Sequence, residues 1–196
     1  LSVSRGLGDV YKRQGQFMVE HFRKVLETAA KYEVSLVVHE PIKDTGLRRT
    51  FPNMMSREGA KGQEFNGFMS SKDNNKPNHT TIIPFTRLLS SPMDYTPGIF
   101  NLVDYRYNSP EDRKINPNHR IPSTISKELA LYVVIYAPVQ MAADLPSNYE
   151  GNPAFQFILD VPTDWEETKV LNGEIGEFIT ICLLYTSPSP RDTDKS

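Results

Sequence analysis

Cysteine is nearly missing from this chain. Cys182 is the only one among 196 residues, which excludes an internal disulfide framework and any cysteine-built zinc site. Long apolar runs are missing as well. Stretches such as 129–138 are short and carry tyrosine, far from the roughly 20 apolar residues that a membrane span needs. Neither sign of charge dominates. Lys and Arg total 22 against 24 Asp and Glu, a net charge of −2, which argues against a nucleic-acid binder working by bulk charge. What is plentiful is the punctuation of loops. Fifteen Pro and 11 Gly predict ordered loops rather than long helices. With 38% hydrophobic, 23% charged and 10% aromatic residues, the composition is globular, and the length suits one domain or one and a part.

The two ends differ in character from the middle. Residues 1–14 show neither a 3.6 nor a 2 period, and residues 182–196 turn into a Ser/Pro/Asp-rich tail. Both resemble translated adapter sequence, and they are set aside from fold reasoning. The native part is then expected to span about 15–181, without a true N-terminus.

Residues 15–32 place Phe17, Met18, Phe22, Val25, Leu26 and Ala29 on one helical face, with Glu20 and Lys24 an i,i+4 pair on the other. Residues 34–39 (VSLVVH) are short, apolar and β-branched, which predicts a strand buried on both faces in a parallel sheet. Helix followed by buried strand is an α/β unit. From 40 to 78 no long amphipathic segment fits, and a loop of that size after a strand's C-terminal end marks a functional region. Further on, 80–85 reads as a strand. Residues 126–137 read as a helix capped by Ser126 and stopped by Pro138. Residues 139–143 read as a short strand leading to Asp144, and 153–160 as a last helix. A hairpin is expected from 168–171 and 178–181, joined through Asn172-Gly173, and with it a β-rich module beginning near Asp164.

Three carboxylates stand out at the strand end and in the loop: Glu40, Glu58 and Glu64. Glu58 and Glu64 lie among Gly59, Gly62, Arg57 and Asn66 instead of on a repeating charged helix face. Such acids can ligate a hard cation through oxygen, divide acid and base roles in glycosidic cleavage, or simply be surface acids. His39, beside Glu40, is a site or core histidine. Arg48 and Arg49 could hold a substrate hydroxyl, but read better as braces for the loop carboxylates. Phe51, Phe65, Phe68 and Tyr95 fit either the core or a sugar-stacking face.

The block HEPIKDTGLRRTFPNMMSREGAKGQEFN (39–66) closely resembles the signature of glycoside hydrolase family 97. So do, in the family's order, TTIIPFTRLLSSPMDYTPGIF (80–100), VQMAADLPSNYE (139–150) and DWEETKVLNGEIGEFITI (164–181). The resemblance implies a bacterial α-glucosidase or α-galactosidase with an N-terminal β-sandwich, a (β/α)8 barrel and a C-terminal β-domain. The chain would be the C-terminal part of the barrel (15–163) and the start of the β-domain (164–181). The N-terminal domain and the early barrel strands would be missing. It implies calcium held by Glu40, Glu58 and Glu64, and a periplasmic or secreted location. Glu64 would be the general acid, Glu40 the general base of the inverting branch, and His39 a residue lining the sugar site. The retaining branch carries a small residue where Glu40 stands, so the resemblance favours an inverting α-glucosidase acting on an oligosaccharide or α-glucan. The alternatives are a retaining α-galactosidase and a non-catalytic carbohydrate-binding paralogue. An inverting pair leaves room for water, with carboxyls roughly 6.5–9.5 Å apart.

Overall fold

The computed structural model describes residues 15–68, 75–103 and 121–184. Residues 1–14, expected to be foreign, lie outside the described residues, as does most of the C-terminal tail. Helix α1 spans Gln16–Lys31, where the apolar spacing places it. Leu26 is its buried residue, while Phe17 and Val25 remain exposed. The i,i+4 ion pair that forms is Arg23–Glu27 at 2.8 Å, not the expected Glu20–Lys24. Strand β1 follows at Leu36–Val38.

The next strand, β2 (Met54–Arg57), lies inside the stretch expected to be loop. Only four residues long, it has no room to display a period. Between β1 and β2 runs a single helical turn, α2 (Leu47–Thr50). β1 and β2 are parallel, with Val37 opposite Ser56 and Val38 opposite Arg57. Arg57 forms a further parallel bridge to Met93, and the Met93 N–H donates to Tyr136 O at 3.0 Å. The parallel arrangement expected of an α/β chain is therefore present, but β1 is half-buried, not buried on both faces. Among the described residues it pairs on one side only.

α3 (Phe65–Phe68) is a single turn. The strand expected at 80–85 is instead helical: α4 (His79–Ile82) leads into 3₁₀ turns at Ile83–Phe85 and Arg87–Leu89. Hydroxyls decide this. Thr81 Oγ1 donates to Asn78 O, and Thr86 Oγ1 to Ile82 O, both at 2.9 Å, and Pro84 suits an early helical position. α5 (Ile125–Val134) forms near where it is expected, but its cap is Thr124, whose side chain accepts from Lys127 N, and not Ser126. Residues 139–143 are irregular, not a strand. Met141 O accepts from the Tyr132 hydroxyl at 2.7 Å, so a side chain takes the place of a ladder partner. Single-turn α6 (Pro146–Tyr149) precedes α7 (Phe155–Asp160), close to the helix expected at 153–160.

The hairpin forms as β3 (Glu167–Glu174) and β4 (Phe178–Leu184), antiparallel. Its turn is at 175–177 with Gly176 at φ 83°, not at Asn172-Gly173. Asn172 instead follows an irregularity in the register after Val170. Gly173 packs on Phe85, whose ring would lie 2.7 Å from any Cβ there. β4 continues through Cys182 to Leu184, across the point where the foreign tail is expected to start. The core gathers Ile83, Met93, Tyr95, Leu131 and Ile135.

Candidate active site

Three adjacent parallel segments bring the site together. His39 follows Val38, Glu58 follows Arg57 and Asp94 follows Met93, and Arg57 is bridged to Val38 on one side and to Met93 on the other. Parallel neighbours in register present their next residues at one edge, the C-terminal edge where α/β folds carry chemistry. His39 Nε2 lies 2.6 Å from Asp94 Oδ2, and Asp94 is buried. His39 Nδ1 lies 3.9 Å from Glu58 Oε2. The same Oε2 accepts the Glu40 N–H at 3.0 Å. Glu64 stands beside Glu58, with a carboxyl oxygen of each within 4.8 Å of the other. Ligating atoms of His39, Glu58 and Glu64 all lie within 4.8 Å of one another.

Backbone anchoring makes this arrangement rigid. The Glu58 N–H donates to Val38 O at 2.9 Å and the Asp94 N–H to Arg57 O at 3.2 Å. The Arg87 guanidinium donates to the carbonyls of Glu58, Arg57, Ser91 and Pro92 at 2.8–3.1 Å. Arg57 is buried beside it, donating to Ser91 Oγ and Ser90 Oγ and lying 3.6 Å from Asp44. Burial, and then the neighbouring Arg57 charge, push Arg87 down to about 10. The carbonyl cradle nevertheless keeps it a donor. The two guanidiniums come so close to Gly59 (φ 69°) that a Cβ would lie 2.7 Å from Arg87 Nε.

Electrostatics separate the ionisable groups. Burial raises the Glu64 pKa, and the charge of Glu58 and the hydrogen bond to it raise it further, against the lowering effect of His39. For His39, partial burial acts downward. The hydrogen bond to Asp94 and the charges of Glu58, Asp94 and Glu64 outweigh it, and its pKa is raised. Both shifts run the same way: each group keeps its proton to a higher pH than it would in water.

The residues fit a hard cation in part. Two carboxyl groups drawn into contact supply the oxygen donors that calcium prefers, whereas the His39 nitrogen is not a hard ligand and is engaged with Asp94. Glu40 is exposed, with a left-handed backbone at φ 48°, and meets the cluster through its N–H.

Of the predicted site residues, His39, Glu58 and Glu64 come together, and Glu40 adjoins them. Bracing is provided by Arg57 and Arg87. Arg48 and Arg49 line a shallow surface cleft with Asp44 and Ser90 instead. Tyr95 is core, Phe51 and Phe65 are half-buried, and the Phe68 side chain lies outside the described residues. Sequence reasoning missed Asp94 and Arg87. Asp94 gave one faint signal, a lone acid in the otherwise neutral run 88–103.

Relatives place the chain. A sequence model described as Glycoside hydrolase 97 matches residues 5–60. A retaining alpha-galactosidase of Bacteroides thetaiotaomicron is 36% identical over 173 residues, 87% of this chain and 25% of that protein. A probable retaining alpha-galactosidase of Streptomyces bingchenggensis is 29% identical over 86% of this chain and 24% of its own length. Among solved structures, a family 97 enzyme of Pseudoalteromonas sp. strain K8, in complex with panose, is 48% identical. It covers 87% of this chain and 25% of its own, with a TM-score of 0.74. The chain thus spans about a quarter of the length of these relatives. Sequence likeness across most of the chain and a shared backbone lead to one assignment: the chain belongs to glycoside hydrolase family 97.

Proposed function

We propose that this chain is the acid-bearing segment of a (β/α)8-barrel glycoside hydrolase, and that the complete enzyme cleaves α-glucosidic bonds with inversion. One observation carries the reading: Glu64 meets Glu58 and His39 beside the C-terminal edge of the parallel segments, where burial and the Glu58 charge raise its pKa. A proton retained to higher pH is what a general acid needs. In the reaction, Glu64 gives that proton to the departing glycosidic oxygen as the bond to the anomeric carbon breaks. Water attacks the opposite face of that carbon, and its proton passes to Glu40. His39, oriented by Asp94, hydrogen-bonds a sugar hydroxyl. Glu40, Glu58 and Glu64 would hold calcium. When bound, the ion supplies positive charge that orients the sugar and offsets the crowding of carboxylates.

The glucoside assignment is supported by the higher identity to the Pseudoalteromonas enzyme. It is 48% to a protein that binds panose, an α-linked glucose trisaccharide, against 36% to the Bacteroides retaining α-galactosidase. Glu40 in place of a small residue points the same way. The second reading, a retaining α-galactosidase, has the two curated relatives in its favour.

NMR of the first-formed sugar decides between them in the full-length protein. Inversion releases β-glucose from an α-glucoside, and α-galactose from an α-galactoside would establish the rival. Glu64→Gln should lower turnover of an unactivated α-glucan by about 10²–10⁴-fold and of an activated aryl α-glucoside much less. Equal losses on both would refute the acid role. Chelation should abolish activity and added calcium restore it.

A further inference from the structure

Glu128 is the least exposed ionisable group of the described residues, at 0% relative exposure, and takes no part in the chemistry above. It sits on α5, on the same face as Leu131, Tyr132 and Ile135, which are core. A carboxylate in such a place must have its oxygens occupied, because an unmatched buried acceptor is costly. Among the described residues Glu128 has four donors. Oε1 accepts Gln63 Nε2 at 3.2 Å and the Ser123 hydroxyl. Oε2 accepts the backbone N–H groups of Gly98 at 3.0 Å and Ile99 at 3.3 Å.

Three of these donors, Gln63, Gly98 and Ile99, belong to the two loops that build the site, while Ser123 lies just ahead of α5 itself. Gln63 immediately precedes Glu64, and its own N–H donates to Tyr95 O at 2.8 Å, one residue beyond Asp94. Gly98 and Ile99 lie a few residues further along that second loop. Gly98 has φ 101° and lies against the Tyr132 hydroxyl, so its backbone is committed to this path. Gln63 is therefore held at both ends, by its backbone to the Asp94 loop and by its side chain to the helix.

We propose that Glu128 is a positioning residue for the general acid. Through Gln63 it fixes the direction from which Glu64 approaches the leaving oxygen, and through Gly98 and Ile99 it locks the Asp94 loop to the same helix. The inference rests on the acid role of Glu64. It concerns hydrogen-bond geometry, so an uncharged acceptor should serve as well. The Gln63 amide can turn to meet a second amide, and the Ser123 hydroxyl can accept as well as donate.

The test uses the full-length protein and two substrates, an unactivated α-glucan and an aryl α-glucoside with an activated leaving group. Gln63→Met keeps the volume and the backbone hydrogen bond but removes the link to Glu128. It should lower kcat on the α-glucan by about ten- to a hundredfold, the cost of a small misplacement. On the activated glucoside it should change kcat by less than about threefold, since that leaving group needs little acid help. Amide hydrogen exchange at Gln63 should quicken in the same variant. Glu128→Gln keeps an acceptor and an amide in place of the carboxylate, so it should lose less α-glucan kcat than Gln63→Met.

An unchanged α-glucan rate in Gln63→Met would overturn the proposal. So would equal losses on both substrates, which would mark a merely structural contact. A collapse of the α-glucan rate in a folded Glu128→Gln would show that charge, not geometry, matters. Should Glu128→Gln fail to fold, Gln63→Met decides alone. Glu64→Gln, run alongside, separates the two levels. If it lacks the leaving-group dependence, the acid role falls and this inference with it; if it has it and Gln63→Met does not, only this inference falls.

Discussion

Glu58 stands between a backbone that cannot move and a side chain that organises its neighbours. Its carbonyl is held by Arg87, its N–H by Val38, and its carboxyl accepts the Glu40 N–H and stands beside Glu64. Next to it, Gly59 allows both guanidiniums to reach the carbonyls. Gly59→Ala should therefore cost more than the left-handed backbone alone. The control is Gly46→Ala, at φ 80° with nothing within 4 Å, which should cost about 1–2 kcal/mol. Gly59→Ala should add roughly 1.5–3 kcal/mol for a displaced charged hydrogen bond. Denaturant midpoints of the two variants check this, and equal losses would mean that Arg57 and Arg87 can step aside freely.

His39 and Asp94 offer a second test at this scale. Asp94→Asn keeps the shape and removes the charge, so the His39 pKa, raised in the parent, should fall. The sign for stability follows. A histidine raised above 6.5 on folding stabilises fully below its unfolded pKa, and loses that contribution as pH rises through the folded value. In calcium-free protein the melting temperature should decline as pH rises above 6.5, and less so in Asp94→Asn. Imidazole titration by NMR checks the shift directly. An unmoved His39 midpoint would show that the 2.6 Å contact contributes little.

At the scale of elements, caps and hydroxyls settle what apolar spacing leaves open. Helix α5 starts where Thr124 accepts from Lys127 N. Thr124→Ala should destabilise by about 1 kcal/mol, and Ser126→Ala by little, because that side chain is exposed and inside the helix. Thermal melting of the pair distinguishes the two caps, and the reverse order would return the cap to Ser126. Some elements were legible from local signals: α1 from its apolar positions, α5 from a polar start and the Pro138 stop, and β1 from its β-branched run. The elements that escaped are short or locally ambiguous. β2 has four residues, and its strand state depends on pairing with β1. Residues 80–85 are β-branched yet helical, because two threonine hydroxyls bond back to carbonyls three and four residues earlier. The Asn172-Gly173 pair, a strong hairpin-turn signal, sits within β3 and lets Phe85 approach.

For the whole molecule, the apolar surface is the governing fact. Val170, Leu171, Ile175 and Phe178 of the hairpin are all exposed, and the outer side of β1 has no strand partner among the described residues. Surfaces of this kind seek cover. The chain on its own should bind a hydrophobic dye and hydrolyse no aryl α-glucoside above a Glu64→Gln control, whereas the full-length protein should do so. Turnover by the isolated chain would show that a working site needs no more than these residues.

The sequence by itself determined the α/β character, the helices with a clear apolar face, and the set of acids at 40, 58 and 64, because periodicity and motif spacing are local properties. Tertiary structure decided which of those acids meet. His39 finds Asp94 across 55 positions and Gln63 finds Glu128 across 65. Arg87 reaches back 29 and 30 positions to the carbonyls behind Glu58. Beyond the faint signal at Asp94, nothing in its own neighbourhood tells any of these residues which partner it will meet. They become a site because parallel strands in register bring their ends to one edge, and burial then makes each hydrogen bond there obligatory.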